Sequence, residues 1–319
     1  MERRDHLSSA APVRLEQVTP PSITAQVDGA TEQLPARDQS RARPNLPQLI
    51  RTHGRISAGL TIILLVVITA IFAPAIAPQR PEAQYVQMRL ASPGSAFILG
   101  GDGLGRDVLS RLIYAGRVSL SVGLLSMLIT LVVGVAVGSV AGFFGGWSDR
   151  ILMRLTDLVL VFPTFFLLVL TVATFGRSLK LLIVMIGLTS WPANARVVRA
   201  LMLRLRQQDF VTAARVSGAR DTRIVLRHLL PHLMPVIIAS ATIRVASNIL
   251  IESGLSYLGL GVSPPTPSLG NMVADGASFV RQAWWLVAFP GTAIFLVVLA
   301  FNMLGEGLRD ALDPQGRLR

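Results

Sequence analysis

Six windows nearly free of charge recur along the chain, at 56–75, 119–141, 151–175, 181–200, 236–256 and 286–304. Their apolar residues come in runs rather than in alternation. At 1.5 Å of rise per residue, a helix over each window crosses a hydrocarbon layer of roughly 30 Å. The pattern predicts an all-α integral membrane protein with six transmembrane helices and both termini on one side. The fourth window is the least regular, since Trp191, Pro192 and Arg196 interrupt it. Gly134, Gly138 and Gly142 repeat at the spacing that lets a neighbouring helix approach closely. Residues 1–50 are polar and without period, which predicts a disordered tail. Residues 51–319 form the membrane domain, with a long polar interruption at 201–232.

Composition agrees with lipid as the main solvent: 51% of the 319 residues are hydrophobic and 15% are charged. The net charge of +12 resides almost wholly in arginine, Lys180 being the one lysine. In such a chain the arginines report sidedness rather than nucleic acid. With the amino terminus inside, seventeen basic residues of the flanking segments fall on the inner side and eight on the outer. That excess predicts cytoplasmic termini in a cell membrane, and it places 201–232 in the cytoplasm. There is no cysteine, which removes disulfides and thiolate chemistry.

The stretch DFVTAARVSGARDTRIVLRHLLPH, residues 209–232, is the most polar part of the apolar region. Arg204 to Ser217 reads as a helix carrying Ala213 and Ala214. Gly218 permits a left-handed turn, and Asp221 or Thr222 is placed to cap a second helix that runs to Pro231. Ile224, Leu226, Leu229 and Leu230 would supply apolar contacts, leaving Arg220, Arg223 and Arg227 to solvent, lipid phosphates or an acidic partner.

Thr212, Ala213 and Ala214, then Gly218, then Leu230 and Pro231 stand in the order and spacing of the EAA loop, and on these residues the chain resembles the permeases of ABC importers. Two positions depart: Thr212 stands where the pattern has glutamate, and His228 where it has isoleucine. Three further stretches, 99–120, 252–272 and 301–314, are similar to the peptide and nickel permease branch, dipeptide and oligopeptide "C" type. Leu269 replaces a tryptophan usual there. The resemblance covers roughly residues 55–315. It implies the MetI-like, type I ABC-importer permease fold and a subunit that pairs with a second permease. It further implies two ABC ATPases docked through 209–231, which bind ATP and magnesium, and an extracytoplasmic solute-binding protein. The implied cargo is a dipeptide, an oligopeptide or a related solute such as glutathione or a nickel chelate.

Outside the loop, Gly101, Gly103 and Gly105 allow a tight turn before the second window, with Arg106 beside it and Asp107 four residues from Arg111. This reads as a structural clasp. The segment 261–270, stiffened by Pro264, Pro265 and Pro267, reads as an outer ledge for a binding protein or entering substrate. In the fifth window Ser240, Arg244, Asn248, Glu252 and Ser256 repeat every four residues. That stripe either faces the translocation path or the partner permease, with Arg244 and Glu252 balancing each other or a neighbour, or acts as polar glue between helices. Asp157 can pair with Arg154 or Arg150.

Catalysis finds no support. Leu179 and Leu181 flank Lys180, so no Gly-Lys-Ser/Thr can cradle a phosphate. His228 and His232 lack a third metal ligand, and no nucleophile elbow is present. The expectation is a conduit that binds no cofactor or metal of its own. Its alternative is a carrier driven by an ion gradient through Asp157, Arg244 and Glu252.

Overall fold

The computed structural model describes residues 54–94 and 96–312. The expected tail at 1–50, and Arg51, Arg317 and Arg319 of the sidedness argument, lie outside the described residues. Among the described residues the secondary structure is helical, save an isolated antiparallel bridge between Gly101 and Asp107. Helix α1 spans Gly54–Ile71, α2 Val108–Phe144, α3 Gly146–Val161, α4 Thr164–Phe175 and α5 Leu179–Leu205. Then come α6, Asp209–Val216, α7, Asp221–Tyr257, α8, Leu269–Ala277, and α9, Trp285–Leu312.

Five of these, α1, α2, α5, α7 and α9, are long and apolar enough to cross a membrane. The third predicted window, 151–175, is not one helix. It is the pair α3 and α4, bent by 77°, which brings the spans to six if the pair is taken as one. Pro163 stands in the break, where it has no N–H to donate to the preceding turn and its ring excludes a straight continuation. The fourth window behaves in the opposite way, because α5 runs unbroken through Pro192. Pro192 is buried there, in the stretch of α5 that lies against α2.

Among the described residues the α2–α5 pair is the most extensive helix contact. A Cβ added to Gly134 would come within 2.8 Å of the Asn194 Cβ, and one at Gly138 within 2.8 Å of the Val198 Cβ. At Gly142 it would lie 2.6 Å from the Met202 Cβ. Lipid is as apolar as the side chains, so association rests on such close packing rather than on escape from water. Gly187 returns the favour from α5, its Cα facing the Ile129 side chain of α2. Around this pair α7 packs on α2 and α9, α9 packs on α1, and α8 packs on α9.

Helix α2 begins ten or so residues before its predicted window, because Asp107 caps it by accepting from the Ser110 N–H at 2.9 Å. Its far end stops at Gly145, whose φ of +68° is left-handed. A helix of 37 residues is about 55 Å long, so whatever sits at its two ends is on opposite ends of the bundle.

Candidate functional site

At one end lies the 209–231 element. Helix α6 begins at Asp209, not at Arg204, because α5 ends at Leu205 and the three turn and bend residues Arg206, Gln207 and Gln208 intervene. It closes in a Schellman motif, the Gly218 N–H donating to the Arg215 carbonyl at 2.9 Å and the Ala219 N–H to the Ala214 carbonyl at 3.0 Å. Gly218 takes φ +79°, the turn its position in the sequence suggested. The second helix has Arg220 as N-cap with no side-chain cap, so neither Asp221 nor Thr222 plays that part. Asp221 instead stands in the first turn, favourable to the helix dipole, and lies 3.8 Å from Arg215.

This helix does not end at Pro231. Ile224–Leu229 widen into π turns, with the Leu230 N–H reaching back to the Val225 carbonyl, and the chain continues without interruption to Tyr257. The wider turn makes room for a proline that cannot donate to the ladder. The element is therefore the first part of α7.

Val211, Ile224 and Leu229 are wholly buried against Phe143 of α2 and Val198 and Met202 of α5. Leu230 is part-buried, but Leu226, expected to make apolar contacts, is 66% exposed. The opposite face presents Thr212, Ala213, Arg215, Gly218, Arg220, Arg223 and Arg227. Among them stands Val216, 85% exposed, an apolar side chain that nothing among the described residues covers. His232 donates from Nδ1 to the His228 carbonyl at 2.5 Å and stacks on Phe210, so its ring is engaged locally.

The polar stripe of α7 splits. Asn248 is enclosed, its Nδ2 donating to the Ser126 hydroxyl of α2 at 2.8 Å. Glu252 is also enclosed and accepts from the hydroxyls of Ser119 at 2.9 Å and Ser256 at 2.7 Å. Ser119 in turn accepts from the Leu269 N–H at 3.3 Å, so one carboxylate ties α2, α7 and the start of α8 together. These two residues face neighbouring helices of their own chain. Arg244 is half-buried and forms no ion pair among the described residues, so the expected balance with Glu252 is not made; its Nε lacks a hydrogen-bond partner. Ser240 returns its hydroxyl to the Ile237 carbonyl.

At the other end of the bundle, the 100–111 turn is built on charge. Asp107 is used as the cap of α2, so it does not pair with Arg111 as the i,i+4 spacing predicted. Arg106 donates from Nε to Asp102 at 2.6 Å, and the Arg111 Nε lies 3.5 Å from the same carboxylate. Both guanidiniums also face Asp275 of α8. Burial pushes the Asp275 carboxyl up from the ordinary carboxylate range against the opposing pull of Arg111 and Arg106. Gly105, at φ +75°, lies so close to the Tyr85 carbonyl that no side chain fits. Pro264 and Pro265 are exposed, and the segment they begin leads into a capping box in which Ser268 and Asn271 exchange hydrogen bonds at the start of α8.

Two ion pairs escaped sequence reasoning. Asp149 of α3 receives both Nε and Nη2 of Arg199 of α5, the latter at 2.6 Å. Asp157 meets Arg196 at 2.6 Å rather than Arg154 or Arg150. Both partners come from a helix some forty to fifty residues away, so no local spacing announces them. Among the described residues no three carboxylates or histidines gather as metal ligands.

Residues 134–317 match the family model described as "binding-protein-dependent transport system inner membrane component", and residues 56–93 match that of the "N-terminal TM domain of oligopeptide transport permease C". The chain is 42% identical over 263 residues to the di/tripeptide transport system permease protein DppC of Pseudomonas aeruginosa, covering 81% of this chain and 87% of that one. It is 40% identical over 269 residues to the glutathione transport system permease protein GsiD of Pectobacterium atrosepticum, covering 84% and 89%. Among solved structures, a chain of the MetNI methionine ABC transporter superposes with a TM-score of 0.53 at 19% identity, over 64% of this chain and 97% of that one, a likeness of fold. An ion-gradient carrier is thereby set aside. The protein is a multi-pass membrane protein of the binding-protein-dependent transport system inner membrane component family, a permease subunit of the ABC-importer type with the MetI-like fold.

Proposed function

We propose that this permease carries short peptides, or a related solute such as glutathione or a nickel chelate, into the cytoplasm with a second, similar permease, the path running between the two. Two ATPase subunits, which hold the ATP and magnesium, dock beneath them on the 209–231 elements. A solute-binding protein delivers cargo at the opposite end, near the ledge of Pro264 and Pro265. This chain performs no catalysis; it lacks the lysine and hydroxyl of a P-loop. Both termini lie in the cytoplasm, in keeping with the arginine excess on that side.

The observation that carries the reading is the two-sided 209–231 element. One face is fixed to α2 and α5 by Val211, Ile224 and Leu229. The other offers the docking residues Thr212, Ala213, Gly218 and Arg220, with Ala214 part-buried behind them and Leu230 and Pro231 at the passage into the span. Burial of each large apolar side chain in this water-facing region contributes about 1.5–3 kcal/mol, enough to keep the element attached while it is pushed. Since α7 continues unbroken from Asp221 to Tyr257, closure of the ATPases would act on the span as on a lever. Ser240 and Arg244, the part-buried members of the stripe, are assigned to the path or the partner contact; Asn248 and Glu252 serve the internal packing that the lever turns against.

The test is to purify the tagged chain from its host in mild detergent, identify what accompanies it, and repeat with Gly218→Asp. Co-purifying nucleotide-binding chains and a second permease, with the ATPases shed or hydrolysis uncoupled from uptake in the variant, are the expected outcome. A protein that emerges alone and moves solute without ATP would overturn it.

A further inference from the structure

Arg106 and Arg111 have side chains only 10% and 4% exposed, yet their hydrogen-bonding capacity is poorly used. The Arg106 Nε makes one good bond to Asp102. The Nη2 atoms of both arginines approach a single oxygen, Oδ2 of Asp275, each at 3.6 Å, beyond hydrogen-bond distance. Among the described residues the Arg111 Nη1 is buried without a hydrogen-bond partner. Two cavities adjoin here, of about 470 and 250 Å³, and Arg106, Arg111 and Asp275 belong to the walls of both. Arg89 lines the larger and Arg177 the smaller. Four arginines thus face two carboxylates, Asp102 and Asp275, an uncompensated charge of two.

The two carboxylates are held differently. Asp102 is 10% exposed and also accepts from the N–H groups of Leu104 and Arg106, at 2.8 and 2.9 Å, so it belongs to the turn. Asp275 is 58% exposed, on α8. It stands at the arginines without forming a close bond to either.

We infer that this cavity is a carboxylate-binding site in which the Nη2 groups of Arg106 and Arg111 are the donors and Asp275 is an internal stand-in that an incoming carboxylate displaces. A carboxylate brings two oxygens to a pair of guanidiniums that now share one at 3.6 Å, and charge-assisted bonds of this kind are the strong ones. The volume suits a small molecule rather than a protein surface, which selects the free carboxylate of the passing solute as the occupant. For the solute's identity the inference rests on the peptide reading above; the site's chemistry does not.

The protein, with its partner permease in lipid nanodiscs and without binding protein, is titrated by saturation-transfer NMR with alanyl-alanine, its C-terminal amide and propionate. The dipeptide and propionate are expected to bind, and the amide at least about tenfold more weakly, since only the amide lacks the anionic oxygens. Asp275→Asn should tighten binding of both acids several-fold, and Arg177→Gln, on the exposed rim, should loosen it by about threefold. A merely structural clasp predicts a different result: Asp275→Asn would lower the unfolding temperature and leave binding unchanged. Equal binding of acid and amide, carboxylate binding only when the binding protein is added, or folded variants without effect would each overturn the site. If Asp275→Asn does not fold, Arg177→Gln and the acid–amide pair decide alone. Uptake of alanyl-alanine in proteoliposomes is read separately. Uptake driven by ATP without acid–amide discrimination in the permease removes the site and keeps the peptide reading. Discrimination without peptide uptake keeps the site and removes that reading.

Discussion

At the residue scale, what decides stability is how little space separates the helices. Gly138→Val places methyl groups where the Ala195 carbonyl and the Val198 side chain already stand, and overpacking of this kind costs about 1–3 kcal/mol. The expected result is a lower midpoint in detergent unfolding than Gly116→Val, since the Gly116 Cα faces open space. Glu252 gives a second case. Glu252→Ala leaves the Ser119 and Ser256 hydroxyls without their acceptor and loosens the start of α8, whereas Glu252→Gln retains an amide oxygen. We expect the alanine variant to be the less stable and its α8 backbone amides to exchange faster by hydrogen–deuterium exchange; equal exchange would refute the tie. Asp275 supplies a pH signature. Its folded-state pKa lies above the ordinary value, so the folded protein binds more protons than the unfolded chain in that interval, and stability falls as pH rises through it. Asp275→Asn should flatten the fall of the unfolding midpoint as pH rises above the ordinary carboxylate range, seen as a difference from the unsubstituted protein.

At the scale of elements, the decisive junction is Gly218. A residue with a Cβ in the left-handed region costs roughly 1–2 kcal/mol, and here the strain falls on the turn that joins α6 to α7. Gly218→Ala is therefore expected to leave the membrane helices intact by circular dichroism and to weaken coupling of ATP hydrolysis to uptake, with Gly218→Asn milder because asparagine tolerates that conformation. Comparable losses from both would refute the conformational argument. The break at Pro163 and the continuity through Pro192 and Pro231 make a related point. The same residue ends one helix, passes through another where helices pack around it, and sits beyond a widened turn in a third.

At the scale of the whole molecule, two sites stand at opposite ends of helices about 55 Å long: an exposed element at one end and a charged cavity at the other. The long helices α2 and α7 connect them, so on the proposed function a rigid displacement of the 209–231 element would reach the cavity without any relay of side chains. Arg199 and Asp149 fix α3 to α5 at the end that carries the 209–231 element, and their bidentate geometry makes α3 part of whatever moves with α5. Replacing Asp149 by Asn is expected to lower transport rate more than assembly, measured as uptake per co-purified complex.

The sequence by itself determined the membrane class, five of the spans and the turn at Gly218, because these depend on continuous apolar length and on glycine's conformational freedom. It also contained the i,i+4 pair of Asp102 and Arg106, passed over for the equally spaced Asp107 and Arg111, since spacing alone does not tell a cap from an ion pair. Only the tertiary structure decided that 151–175 is bent, that Asn248 and Glu252 turn inward while Arg244 forms no ion pair among the described residues, and that Asp275 joins Asp102 at the two arginines. Those outcomes depend on which helix faces which, and a carboxylate on α8 meets a guanidinium on α2 through packing that no local pattern records.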